Sequence, residues 1–140
     1  MRFCVVALAF ALIPGCGRTG GLTLEPLPAQ AGEWTRVEFE MQQGGSGLEN
    51  APGLAKELGA RAWAGARYRR GGVEARVEAF LFASEASAFE AQQKWARGPD
   101  RMTFYKGARF VECSSAELPA PDLIRFAEAL EAAWLKPAQR

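Results

Sequence analysis

Glutamates recur at spacings that could build an acid/base pair. Glu38 and Glu40 fall on one side of an alternating run, and Glu74 and Glu78 fall on one side of another. Two carboxylates within reach of each other can divide the roles of general acid and general base. Arg67, Arg69 and Arg70 lie close to the second pair in sequence. A small hydrolase built on carboxylates and arginines is therefore one chemistry open to this chain. It requires a concave pocket gathering Glu74, Glu78, Arg67 or Arg76. The plainer reading is that outward strand positions are charged for solubility.

Composition narrows the rest. The chain has no histidine, which removes His-based triads, the usual His-type zinc sites and imidazole switching. Gly44-Gly45-Ser46-Gly47 lacks the Lys-Ser/Thr ending of a phosphate cradle and reads as a loop. Cys113 sits in an apolar strand pattern and reads as a buried core thiol. The formal net charge is only +1, so no electrostatic footprint for nucleic acid is visible. No catalytic residue, metal or cofactor is implied.

The elements follow from periodicity. Trp34 to Met41 alternates, with Val37, Phe39 and Met41 on one side and Arg36, Glu38 and Glu40 on the other, which predicts a strand with one wet face. A short helix is expected over Pro52 to Leu58, stopped by Gly59. Ala62 to Arg70 and Val73 to Ala83 flank Gly71-Gly72, the signature of a hairpin with a type I′ turn. That turn sets Tyr68 opposite Ala75, Ala66 opposite Val77 and Ala64 opposite Ala79 on the core face. The other face then pairs Arg69 with Glu74, Arg67 with Arg76 and Trp63 with Phe80. Glu74 and Glu78 are diagonal neighbours that can offset the Arg67–Arg76 repulsion.

Ser84 reads as the N-cap of a helix running to about Arg97, ended by Gly98-Pro99. Arg101 to Tyr105 and Arg109 to Ser114 form a second strand pair. A last helix follows Pro119 and Pro121, with Leu123, Ala127, Leu130 and Trp134 along one stripe. The order β-α-β-β-α-β-β-α predicts an α+β domain, a five-stranded, mostly antiparallel sheet with three helices on one face. Trp63, Phe80 and Phe82 then lie opposite the alanine-rich face. Either a second helix layer covers them or they form an exposed partner surface.

The first fifteen residues have Arg2 as their only charge, then an apolar run from Phe3 to Ile13. That describes an export signal, too short to cross a bilayer as a stable helix. Its end, Ile13-Pro14-Gly15-Cys16, resembles the lipobox of bacterial lipoproteins. Pro14 departs from the pattern, where a small or β-branched residue is usual. The resemblance implies removal of residues 1–15 and acyl chains on Cys16, and two or three chains suffice for stable anchoring. Gly17, rather than Asp, follows the cysteine, similar to the outer-membrane sorting pattern of bacteria with two membranes. Residues 16–31 read as a flexible tether, with Gly20-Gly21, Pro26 and Pro28, and residues 32–136 as one domain. Without Arg2, sixteen basic residues face sixteen acidic ones, and only Cys113 remains as a free thiol.

A second resemblance rests on Leu54-Ala55-Lys56-Glu57-Leu58-Gly59-Ala60, on Ala66, Tyr68 and Gly71, on Phe80, Phe82-Ala83-Ser84 and Ala88-Phe89, and on Tyr105-Lys106-Gly107 with Phe110-Val111. Leu27-Pro28 and Gly32-Glu33-Trp34 precede them. Across about residues 27 to 115 the chain looks like a family of bacterial exported proteins known only as a domain of unknown function. The resemblance implies export and a compact α+β domain, and it carries over no activity. The resulting expectation is a lipid-anchored envelope protein, membrane-bound through its lipid, that binds another envelope component without catalysis. A small hydrolase and a small-ligand carrier are the alternatives.

Overall fold

The computed structural model describes residues 23–44 and 48–135. The lipobox with Cys16, and Gly45 to Gly47 of the glycine loop, lie outside those residues. Nine elements follow in order: β1 (Gln30–Ala31), β2 (Trp34–Gln43), α1 (Gly53–Glu57), β3 (Ala62–Arg70), β4 (Val73–Leu81), α2 (Glu85–Lys94), β5 (Arg101–Lys106), β6 (Arg109–Ser114) and α3 (Ala120–Trp134). The strands form one curled antiparallel sheet in the order β1-β2-β3-β4-β6-β5. The α+β class and the three helices match expectation. The sixth strand, β1, was not expected. Two residues are too few to show alternation, and they pair with Trp34 and Thr35 through a turn at Gly32 (φ +57°).

The β3–β4 hairpin has the expected register throughout, from Arg70 opposite Val73 to Trp63 opposite Phe80. Only the first turn glycine is left-handed (Gly71, φ +60°), which is the type II′ rather than the type I′ pattern. Either turn matches the strand twist, so the pairing is the same. Strand β2 departs from simple alternation. A bulge falls between Arg36 and Glu38, leaving Val37 as the extra residue. Arg36, opposite Tyr68, therefore shares the core side with Phe39, opposite Ala66, and with Met41, opposite Ala64.

The helices do not share one face. On the alanine side, Ala64, Ala66, Tyr68, Ala75, Val77, Ala79, Val111 and Cys113 pack with Leu123, Phe126, Ala127 and Leu130 of α3. Leu24, Leu27 and Ala31 complete that core. Residues 24–31, expected as tether, thus belong to the domain. They are held by polar contacts as well. Gln43 Nε2 donates to the Leu24 carbonyl at 2.6 Å, and the Tyr68 hydroxyl donates to the Pro28 carbonyl at 2.6 Å. The Arg36 guanidinium donates to the Leu27 carbonyl, and Arg109 grips the Glu25 carboxylate with two donors. Apolar residues three apart beside prolines gave no periodic signal, so their burial was not legible.

On the opposite face, Trp63, Phe80, Phe82 and Phe110 pack with Ala55 of α1, Ala88 and Ala91 of α2, and Trp95. The exposed-patch option for Trp63, Phe80 and Phe82 is therefore overturned: they are 2%, 0% and 0% exposed. The covering helices are α1, which follows β2, and α2, which follows β4. Ser84 caps α2 by accepting from the Ser87 amide at 3.2 Å, as expected, and the helix ends at Lys94, before Arg97. Among the described residues no helix is long and apolar enough to cross a membrane.

Two substitutions test these layers. Phe80→Ala should cost about 3–5 kcal/mol in urea unfolding, as a large core truncation does. Tyr68→Phe, which loses the bond to Pro28, should cost about 1–2 kcal/mol. An unchanged midpoint for Phe80→Ala would refute the second helix layer.

Candidate functional site

The registers align side chains of the α1/α2 face into rows across the strands. The first is aromatic, Trp63–Phe80–Phe110–Tyr105, and lies beneath the helices. The second is acidic, Glu40–Gly65–Glu78–Glu112–Thr103. The third alternates, Glu38–Arg67–Arg76–Ser114–Arg101, and beyond it Arg69 faces Glu74. The helices cover one half of this face and leave the charged half open.

Two hollows lie on the open half. One, of about 370 Å³, is lined by Arg67, Glu74, Arg76, Asp100, Ser114, Ser115 and Glu117. The other, of about 200 Å³, is lined by Glu38, Glu40, Trp63, Gly65, Arg67 and Arg76. Arg67 and Arg76 belong to both, so the two hollows adjoin at the arginines, and together they are called the trough.

Gly65 sets the floor. A Cβ built there would stand 2.6 Å from Trp63 Cζ2, so the missing side chain makes room for the indole. Trp63 is buried, yet among the described residues its Nε1 has no hydrogen-bond partner. The same holds for Oε1 of Gln42, its register partner across β2, and for Arg67 Nε.

The charges neutralise one another along the rows. Arg67 reaches Glu38 at 2.8 Å and Glu74 at 3.6 Å, Arg69 reaches Glu74 at 2.6 Å, and Arg76 reaches Glu78 at 3.2 Å. The diagonal glutamates thus offset the Arg67–Arg76 repulsion as expected. Exposed pairs of this kind contribute little each, about 0.2–1 kcal/mol. The hydrogen bond from Arg69, with the charge of Arg67 added, holds the Glu74 carboxyl below the usual range. Arg70, grouped with Arg67 and Arg69 by sequence, lies on the other face with its guanidinium 4.7 Å from the Trp34 ring.

Glu112 is the site residue that sequence reading missed. It faces Glu78 directly, and the two side chains are 10% and 13% exposed. Trp95 Nε1 donates to Glu112 Oε2 at 2.5 Å, and Arg101 lies 3.6 Å from the same oxygen. A lone carboxylate inside the apolar run Phe110-Val111-Glu112-Cys113 was the available signal. Burial pushes Glu78 above the ordinary carboxylate value; Glu112 adds to this, and Arg76 and Arg101 oppose it. Neither carboxylate lines the hollows. The hydrolase expectation thus finds a pocket with Glu74, Arg67 and Arg76, but Glu78 is ion-paired with Arg76 and mostly buried rather than open to a substrate.

Gly65→Ala should displace Trp63 and destabilise the domain by about 1–3 kcal/mol, the usual cost of overpacking, read by thermal or urea unfolding. A carboxyl raised on folding binds its proton more tightly in the native state, so its contribution is fully present below the unfolded value. It is lost as pH rises through the folded value. Glu78→Gln, which mimics the protonated form, should therefore raise the melting temperature at pH 8, and the gain should shrink toward pH 4. A gain that grows on acidification would contradict the assignment.

No protein-family model matches this chain, no curated protein matches it, and no solved structure matches it.

Proposed function

We propose that this chain is a lipid-anchored protein of the cell envelope whose domain holds an envelope partner in the charged trough, without catalysis. The observation that carries the binding half is the uncovered part of a sheet face whose other part is closed by helices. An open, shallow, polar hollow suits a partner surface. The burial of Glu78 and the engagement of Glu112 by Trp95 and Arg101 make the carboxylate-hydrolase alternative the weaker one.

The anchor half rests on Ile13-Pro14-Gly15-Cys16. The fold adds a direction to it. The chain enters the domain at Leu24, beside Gln43 and, through Glu25, beside Arg109. Those residues lie at one end of the sheet. The third row, with Glu38 and Arg67, lies five residues along β2 from Gln43, about 17 Å further on. The trough thus runs along the sheet face from Trp63, near the anchored end, to the third row farther from it. Eight residues from Cys16 to Leu24 reach at most about 26–29 Å, so the domain stays close to the bilayer. Acyl chains on the cysteine would hold it there, and in a bacterium with two membranes Gly17 favours the outer one.

Cys16→Ser should move the protein from the membrane to the soluble envelope fraction, and intact mass of the native protein should show acyl chains. An unmodified amino terminus would overturn the anchor. Ala116, exposed, also lines the larger hollow, and Ala116→Trp, which fills it with an indole without changing charge, should abolish co-purification of an envelope partner while the unfolding midpoint changes little, as for surface substitutions generally. Retention of every partner would overturn the trough.

A further inference from the structure

Five carboxylates line the trough, Glu38, Glu40, Glu74, Asp100 and Glu117, against two guanidiniums, Arg67 and Arg76. The chain as a whole carries +1, so this excess of acid is local. The arginines are also committed: Arg67 to Glu38 and Glu74, Arg76 to Glu78. Glu40 and Glu117 have no cationic partner among the described residues; Glu40 accepts from the Asn50 amide and Glu117 from the Glu74 backbone amide. Asp100 has only Arg101, at 3.9 Å. The rims therefore present unneutralised carboxylates; beyond the lining, Glu78 and Glu112 are balanced by the nearby Arg69 and Arg101, so the acidic excess remains. A concave face lined mainly by one sign focuses the field and concentrates a ligand of the other sign.

We propose that the trough takes an extended, lysine- or arginine-bearing segment of a partner protein; this rests on the trough being the binding face. The shape fits a chain. From β2 to β6 the trough crosses three inter-strand steps, about 14 Å, the length of about four extended residues. The buried Trp63 closes one end of it.

The test uses the full-length lipoprotein in detergent and two labelled hexapeptides, Lys-Ala-Lys-Ala-Lys-Ala and Glu-Ala-Glu-Ala-Glu-Ala, followed by fluorescence anisotropy. The lysine peptide should bind at least about tenfold more tightly than the glutamate peptide at low salt, and raised salt should weaken it. Glu40→Gln, Asp100→Asn and Glu117→Gln together should weaken it about tenfold with the unfolding midpoint unchanged. Binding of neither peptide, or lysine-peptide binding that the triple variant leaves intact, would overturn the inference. Preferred binding of the glutamate peptide, lost in Arg67→Gln, would also overturn it while leaving the trough as the binding face. Loss of the trough itself is read separately, from the co-purification with Ala116→Trp.

Discussion

The pairing of β3 with β4 is the constraint from which the other layers follow. Once Gly71 turns the chain with a positive φ, every side chain from Ala62 to Leu81 is assigned to a face. A slip of one residue would put Arg67, Arg69 and Glu74 into the core and Tyr68 and Val77 into water. The burial of Tyr68 and Val77 on one side and of Trp63 and Phe80 on the other makes such a slip very costly. The strands that flank the hairpin extend its rows. Strand β2 continues them on one side, and β6 with β5 on the other.

From row to row, chemistry changes over four residues of β3. Trp63 is dry and aromatic, Gly65 is empty, and Arg67 is charged. Gly65 makes this sharp step possible, because any side chain there would meet the indole that seals the helical half. The polar half is held together differently. Its members are bound by exposed ion pairs, each weak, around a nearly buried Glu78–Glu112 pair. Stability is therefore concentrated in the two apolar layers, and the exposed charged residues of the trough can change with little effect on folding. A surface with that freedom suits binding.

Much of this was legible in the sequence where a local rule decided the outcome. The hairpin register, the Ser84 cap, the β5–β6 pair and the α3 stripe each depend on residues close together in the chain. The departures depend on contacts between distant residues. Leu24 and Leu27 look like tether until α3 and Tyr68 are placed beside them. The bulge at Val37 shifts the phase of β2 without any glycine to announce it. The aromatic residues at positions 63, 80 and 82 were open to two readings, and the placement of α1 and α2 chose the covered one. Glu112 gained its partner because β6 lies beside β4, an adjacency that no nearby residue encodes.

The account stands on the trough being the surface that meets another molecule. A photo-crosslinking amino acid placed in turn at Asp100, on the trough rim, and at Glu128, exposed on α3, tests that in intact cells. The account predicts a discrete crosslinked species from position 100 and none from position 128. Crosslinking from 128 alone, or equal labelling from both, would contradict it.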